Sequence, residues 1–184
     1  MQLDVLSITA HPDDTELTCS GTVIKMVEAG YKVGLLDLTG GESGTRGNAS
    51  LRERESRRAS KVMGIVYRDN LGLPDAAIED RREYKLKIAQ KIRDLRPRTV
   101  ILPYWEGRHP DHYTASKLGY EACFLAGLAK LDVDRAIDAQ GSAFSQVASA
   151  VASVAAGEQQ TTNSASALSP HRRSSLRRSN AGCA

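Results

Sequence analysis

The chain has 184 residues, which is enough for one domain with a hydrophobic core and too few for two comfortable ones. Its formal net charge of +3 comes from the end of the chain, because residues 1–138 carry equal numbers of basic and acidic side chains. The zero net charge of residues 1–138 argues against a nucleic-acid-binding surface. No apolar run is long enough for a membrane span. Three cysteines without CxxC spacing argue against a disulfide framework, so we expect a cytoplasmic protein.

Apolar and amphipathic stretches alternate along the first 131 residues. In chain order they predict a strand over about 3–9, a helix over 17–29, a strand over 31–39, a glycine-rich loop over 40–47, a charged helix from 50 to 64 opened by a Ser50-x-x-Glu53 capping box, a strand over 65–70, a helix over 82–95, a strand over 99–103 and a helix over 113–131. This alternation predicts the α/β class, with a Rossmann-like parallel sheet covered by helices on both faces. The expected strand order is 3-2-1-4, which makes the first and fourth strands neighbours.

Two turns rich in His and Asp follow those two strands. They read His11-Pro12-Asp13-Asp14 and His109-Pro110-Asp111-His112. Because the sheet order brings the turns together, His11, Asp14 and His112 can offer two imidazoles and one carboxylate to a metal ion, with a position left open for water. This donor set is typical of catalytic zinc, and Fe²⁺ accepts it as well. We therefore expect metal-assisted hydrolysis.

The other polar side chains of the two turns are assigned to proton transfer and charge stabilisation. Asp13 diverges from its neighbour and is free to act as general base and then as general acid. His109 is expected to stabilise the developing oxyanion, with Asp111 orienting its imidazole or holding it protonated. The simpler interpretation makes the first turn a solvated corner in which Asp14 or Thr15 caps the next helix. The coincidence of two such motifs at one sheet edge favours a metal site.

The glycine-rich loop over residues 40–47 lacks both the lysine ending of a Walker loop and a GxGxxG pattern. It is therefore predicted to be a flexible connection. At the same sheet edge it can also form a wall of the substrate pocket, with Glu42 facing inward.

The motifs AHPDD-x-E and R-HPDH together resemble the LmbE-like or PIG-L family of zinc-dependent de-N-acetylases. The similarity covers about residues 3–131 and extends through Thr39-Gly40-Gly41-Glu42, Leu51-Arg52-x-x-Glu55, Leu71-Gly72-Leu73-Pro74-Asp75 and Arg96-Pro97-x-x-Val100-x-x-Pro103. Within the family, the chain is most similar to bacterial enzymes that deacetylate N-acetylglucosaminyl conjugates, such as the GlcNAc-malate intermediate of bacillithiol synthesis.

This resemblance implies zinc at His11, Asp14 and His112, with Asp13 as the base and His109 as the electrostatic partner. It further implies that four residues line the sugar and acid subsites, namely Glu42, Arg52, Asp75 and Arg108. The guanidinium of Arg108 suits a malate-like carboxylate, which it can hold with two hydrogen bonds.

Residues 139–184 are rich in Ala, Ser and Arg and contain hardly any long apolar side chains. This composition predicts an Ala-rich helix over about 143–156 and a disordered basic end. Family members normally continue with further strands at this point, and nothing in this segment resembles them. We therefore hypothesise a deacetylase domain over 1–138 that is incomplete at its C-terminal side, followed by an aberrant or truncated tail.

The expected function is removal of an N-acetyl group from an N-acetylglucosamine conjugate, with release of acetate and a free amine. The expected partner is a small aminosugar conjugate, without nucleic acid or membrane, and homo-oligomerisation is left open. Two alternatives remain. One is a non-haem iron oxygenase that uses the same two-His-one-carboxylate set. The other is a metal- or sugar-binding remnant that lacks turnover because of the altered C-terminus.

Overall fold

Strands and helices alternate in the computed structural model, which describes residues 1–45 and 48–131. In chain order the elements are β1 (Val5–Thr9), α1 (Asp14–Glu28), β2 (Val33–Thr39), α2 (Ala49–Met63), β3 (Tyr67–Leu73), α3 (Arg82–Leu95), β4 (Thr99–Ile101) and α4 (Pro110–Ala126). All strand pairs are parallel, and the sheet order is β3-β2-β1-β4. The predicted fold class and strand order are therefore confirmed.

The two central strands are buried along their whole length. On one face of the sheet, Leu6 and Ile8 belong to a large core with Ile88 of α3 and Leu118 of α4. On the other face, a smaller cluster includes Val5 and Val33 of the strands, Val23 of α1 and Met63 of α2. Burial on both faces explains why these strands are continuous apolar runs, and it makes the central sheet a rigid support for the loops at its edge.

Helices α1 and α4 begin about three residues earlier than their apolar periodicity predicts. Helix α1 begins at Asp14, and α4 begins at Pro110 with His109 as its N-cap. The first turn of each helix is polar, so its residues do not contribute to an apolar stripe, and proline at the first position favours a helix start. Each His/Asp turn is therefore the N-terminus of a helix.

The predicted capping box at the start of α2 is wrong. Asn48 caps the helix, and its side-chain oxygen accepts a hydrogen bond of 2.9 Å from the backbone N–H of Leu51. Asparagine is at least as good an N-cap as serine. Glu53 instead pairs with Arg57 one turn further on. The third strand also runs over Tyr67–Leu73 instead of 65–70.

No helix within the two described ranges is long and apolar enough to cross a membrane. The predicted Ala-rich helix over 143–156 and the basic end lie outside the described residues, as does the expected domain boundary at residue 138. Those expectations stay predictions.

Candidate metal centre

The two His/Asp turns meet at the carboxyl edge of the sheet. Because β1 pairs with β4, the turn after each strand is held beside the other. The first turn is closed by its own side chain, since the His11 N–H donates to Asp14 Oδ2 at 2.8 Å. The imidazole of His11 then lies with its ring centroid 4.8 Å from that of His109 and 5.2 Å from that of His112.

Three side chains at this point form a compact group, which we call the metal triangle. His11 Nδ1 lies 3.3 Å from Asp14 Oδ2 and 3.2 Å from His112 Nε2, and His112 Nε2 lies 3.1 Å from Asp14 Oδ1. With zinc–ligand bonds of about 2.0–2.1 Å, two ligands of a tetrahedral ion lie about 3.3 Å apart. The three side chains that the sequence predicted as ligands bring donor atoms together at about this spacing, and either Asp14 oxygen could be the third donor.

The other ring nitrogen of His11 faces two further carboxylates. His11 Nε2 lies 3.1 Å from Asp75 Oδ1 and 3.4 Å from Asp111 Oδ2. Carboxylates in this position commonly receive the second N–H of a metal-ligating histidine and fix its tautomer. Because Asp75 and Asp111 both face Nε2, Nδ1 of His11 is left free to act as the ligand atom.

Burial disfavours the charged imidazolium of His11, but the surrounding carboxylates outweigh burial and raise its pKa to about 9. Burial also opposes ionisation of Asp14, yet hydrogen bonds from His11 and the charge of His112 hold the pKa of Asp14 below its ordinary value. The carboxylate of Asp14 is thus ionised. In the metal-free protein, a protonated His11 supplies the positive charge beside it.

The neighbouring aspartates of the first turn have different partners. Asp14 contacts both His11 and His112, whereas Asp13 Oδ2 accepts a hydrogen bond of 3.1 Å from Arg52. The same guanidinium donates to the Gly41 carbonyl at 2.7 Å. About half of the Asp13 side chain is exposed, so a substrate and water can reach it. This arrangement is compatible with the predicted division between metal binding and proton transfer.

The predicted contact between the Asp111 carboxylate and His109 is replaced by other contacts. The carboxylate is almost fully buried and accepts the backbone N–H groups of Ala76 and Ile78. It is the backbone N–H of Asp111 that donates to Nδ1 of His109, at 3.2 Å. This contact arises because His109 caps α4, and it requires an unprotonated Nδ1. A neutral His109 would then carry its proton on Nε2.

Of the four residues that the resemblance places in the substrate subsites, three are tied into one network. Asp75 accepts the Ser43 N–H at 2.7 Å, and its own N–H donates to Glu42 Oε1 at 3.0 Å. Arg52 joins the glycine-rich loop through Gly41. Arg108 is exposed in the loop before α4 and, within the described part of the chain, does not join this network.

Arg68 of β3 was not singled out from the sequence. Its side chain is 10% exposed, and it donates to the backbone of the first turn at Pro12. One signal was available: an arginine inside a strand of a parallel sheet is unusual, because buried charges are rare unless they are paired. Its partner Asp37 is likewise a charged residue inside an apolar strand.

Comparisons with known proteins identify a family and several similar chains. Residues 6–123 match the family described as GlcNAc-PI de-N-acetylase, or PIG-L. A diacetylchitobiose deacetylase of Thermococcus kodakarensis is 36% identical over 135 residues, which cover 67% of this chain and 50% of that protein. A probable N-acetyl-alpha-D-glucosaminyl L-malate deacetylase 2 of Bacillus anthracis is 28% identical over 132 residues, or 64% of this chain and 58% of that protein.

The fold is also found in a solved structure, that of a conserved protein from Thermus thermophilus. The two chains share 45% identity with a TM-score of 0.71, over 74% of this chain and 62% of the other. The chain thus spans half to about three fifths of the length of these three proteins.

Proposed function

The chain belongs to the GlcNAc-PI de-N-acetylase (PIG-L) family, and from this premise we propose that it is a zinc-dependent hydrolase that removes the N-acetyl group from an N-acetylglucosamine conjugate. The products are acetate and a free amine. The observation that carries the proposal is the metal triangle of His11, Asp14 and His112, in which each imidazole nitrogen lies 3.1–3.3 Å from the other and from an Asp14 oxygen. The names of the two deacetylase relatives support an N-acetylated glucosamine unit as the substrate.

A bound zinc ion would lower the pKa of a water molecule toward about 7 and polarise the acetyl carbonyl. Asp13 accepts the proton of the attacking water and returns it to the departing amine nitrogen. Its hydrogen bond from Arg52 holds the carboxylate in place. Asp14 differs from Asp13 because both of its oxygens face imidazoles of the triangle.

His109 donates from Nε2 to the carbonyl oxygen as negative charge develops there. The backbone N–H of Asp111 at Nδ1 selects the tautomer that carries this proton. Arg108 precedes His109 in the chain and is exposed, which suits a guanidinium that holds a carboxylate on the aglycone. The proposed substrate is therefore a small N-acetylglucosaminyl conjugate with an acidic aglycone, GlcNAc-malate being the first to test.

The direct test is release of acetate. The full chain is treated with chelator, reloaded with Zn²⁺ or Fe²⁺, and incubated with GlcNAc-malate, diacetylchitobiose and neutral N-acetylglucosaminides. We expect acetate from the zinc-loaded protein, and none from an Asp14→Asn variant. Folded, zinc-loaded protein that releases no acetate from any member of the panel contradicts the proposal.

We also propose a cytoplasmic location. Cys19 and Cys123 are free thiols, as is usual for proteins of a reducing compartment.

A further inference from the structure

Arg68 joins three parts of the fold behind the metal triangle. Its side chain extends from β3, and it pairs with Asp37 of β2, with 2.8 Å between Nε and Oδ2 and 3.2 Å between a terminal nitrogen and Oδ1. The other terminal nitrogen donates to Glu16 of α1 at 2.5 Å, and also approaches the Ser56 carbonyl and Ser60 hydroxyl of α2. All three nitrogens of the guanidinium, which together carry five N–H donors, are engaged by these contacts.

The contact that matters for the site is with the backbone of the first turn. The terminal nitrogen that faces Asp37 also donates to the Pro12 carbonyl oxygen at 2.5 Å. This carbonyl and the N–H of Asp13 belong to one planar peptide group. The proline ring fixes φ of Pro12 but leaves ψ, the torsion that turns this carbonyl, free. The hydrogen bond from Arg68 therefore sets the orientation of the peptide between Pro12 and Asp13.

That peptide lies between the two ligands supplied by the first turn. His11 precedes it and Asp14 follows it, while the Asp13 carbonyl accepts the Leu17 N–H at 2.9 Å as α1 begins. Because Arg68 also holds Glu16, it fixes the angle between the turn and the first turn of α1. A small rotation of this peptide moves His11, Asp13 and Asp14 relative to one another.

We propose that Arg68 is a positioning residue for the metal site and for the base Asp13. It acts through the Pro12 carbonyl and Glu16, and it is itself oriented by Asp37. The effect on turnover rests on the proposed function, whereas the effect on metal binding does not require any hydrolysis. Lysine cannot replace arginine here, because one ammonium group cannot reach Asp37, Glu16 and the Pro12 carbonyl together.

The test compares Arg68→Lys with a matched control, Arg93→Lys. Arg93 is also a buried arginine that donates to backbone carbonyls, at Ala126 and Leu128. Arg93 lies in the last turn of α3. This turn is at the end of the sheet away from the site, because Leu95 accepts a hydrogen bond from the N–H of Leu3, just before β1 begins. Both variants lose hydrogen bonds from a buried arginine, so both are expected to have a lower Tm.

Of these two variants, only Arg68→Lys is expected to lose Zn²⁺ affinity and activity. Its affinity for Zn²⁺, measured by competition with a chromophoric chelator, should fall about tenfold or more, as for other groups that orient metal ligands. Its kcat for acetate release should fall about tenfold or more, with KM within about twofold, because misplaced catalytic groups slow the chemical step. Asp37→Asn, which leaves Arg68 one acceptor oxygen, should give a smaller loss and serves as a second variant if Arg68→Lys does not fold.

The proposal is wrong if Arg68→Lys and Asp37→Asn keep the wild-type Zn²⁺ affinity and kcat. It is also wrong if Arg93→Lys, at a similar Tm, loses as much Zn²⁺ affinity, because the effect is then general destabilisation. Wild-type protein that binds Zn²⁺ but releases no acetate contradicts the proposed function alone, and the comparison of metal affinities still decides the role of Arg68.

Discussion

His11 Nε2 lies 3.1 Å from Asp75 Oδ1, on the side of the imidazole opposite to the metal triangle. The same carboxyl group accepts the Ser43 N–H and so connects the glycine-rich loop to His11. Asp75 is therefore placed to fix the tautomer and the ring orientation of His11.

Substitution Asp75→Asn is expected to weaken Zn²⁺ binding by about tenfold or more, because the amide cannot offer the same charged acceptor to Nε2 of His11. Chelator competition measures the change. Asp69→Asn is the control, since Asp69 pairs with Lys91 and is placed outside the site. Unchanged Zn²⁺ affinity in Asp75→Asn would show that Asp75 does not support metal binding and would leave it a role in substrate binding alone.

The two adjacent aspartates should respond differently to the same change. Asp13→Asn is expected to keep Zn²⁺ bound and to lower kcat by about 10²–10⁴, the range for loss of a general base. Asp14→Asn is expected to lose the metal, because its two oxygens face both ligand histidines. Metal analysis after dialysis, together with acetate release, separates the two. Loss of zinc in both variants would contradict the division of roles.

The metal-free protein is expected to become less stable as the pH rises from about 6.5 through 9. Burial opposes the charge on His11, but Asp14, Asp75 and Asp111 raise its pKa to about 9 in the folded state. Between the ordinary pKa of about 6.5 and this value, the folded state holds a proton that the unfolded state lacks, so the free energy of unfolding falls with rising pH. The other titratable groups that face His11 are His109 and His112 of the second turn.

Urea unfolding of chelator-treated protein at several pH values between 6 and 10 measures this dependence. His11→Gln should flatten the slope, because it removes the group that takes up the proton. An equally steep slope in this variant would assign the dependence to other groups.

Gly41→Ala is expected to lower activity through Arg52. Gly41 has a φ of 66°, a backbone angle that residues with a side chain adopt only under strain. A Cβ added at this position would also lie 2.5 Å from a terminal nitrogen of Arg52. The guanidinium would have to leave the Gly41 carbonyl and Asp13. Gly21→Ala in α1 is the control, since its Cβ would meet nothing within 4 Å. It should raise stability by roughly 0.5–1 kcal/mol without changing kcat. Equal kcat in the two variants would show that Arg52 does not act on Asp13.

The strand order and the meeting of the two His/Asp turns could be predicted from the sequence, because parallel crossovers have one hand and the winding places β1 beside β4. The start of α2 could not be predicted, because Asn48 and Ser50 are both good N-cap residues. The helix begins after the one with extended backbone, which is Asn48. The starts of α1 and α4 were missed because their polar first turns carry no apolar periodicity.

The sequence by itself determined which residue types stand at the edge of the sheet: His11, Asp13 and Asp14 after one strand, and His109 and His112 after its neighbour. Only the tertiary structure decided that Asp111 binds the loop at Ala76 and Ile78, that Asp75 faces His11, and that Arg68 holds the Pro12 carbonyl. Spacing along the chain predicts which strand ends meet, because backbone pairing is regular. It does not predict which of several carboxylates reaches a given donor, because that depends on how side chains from distant elements pack in three dimensions.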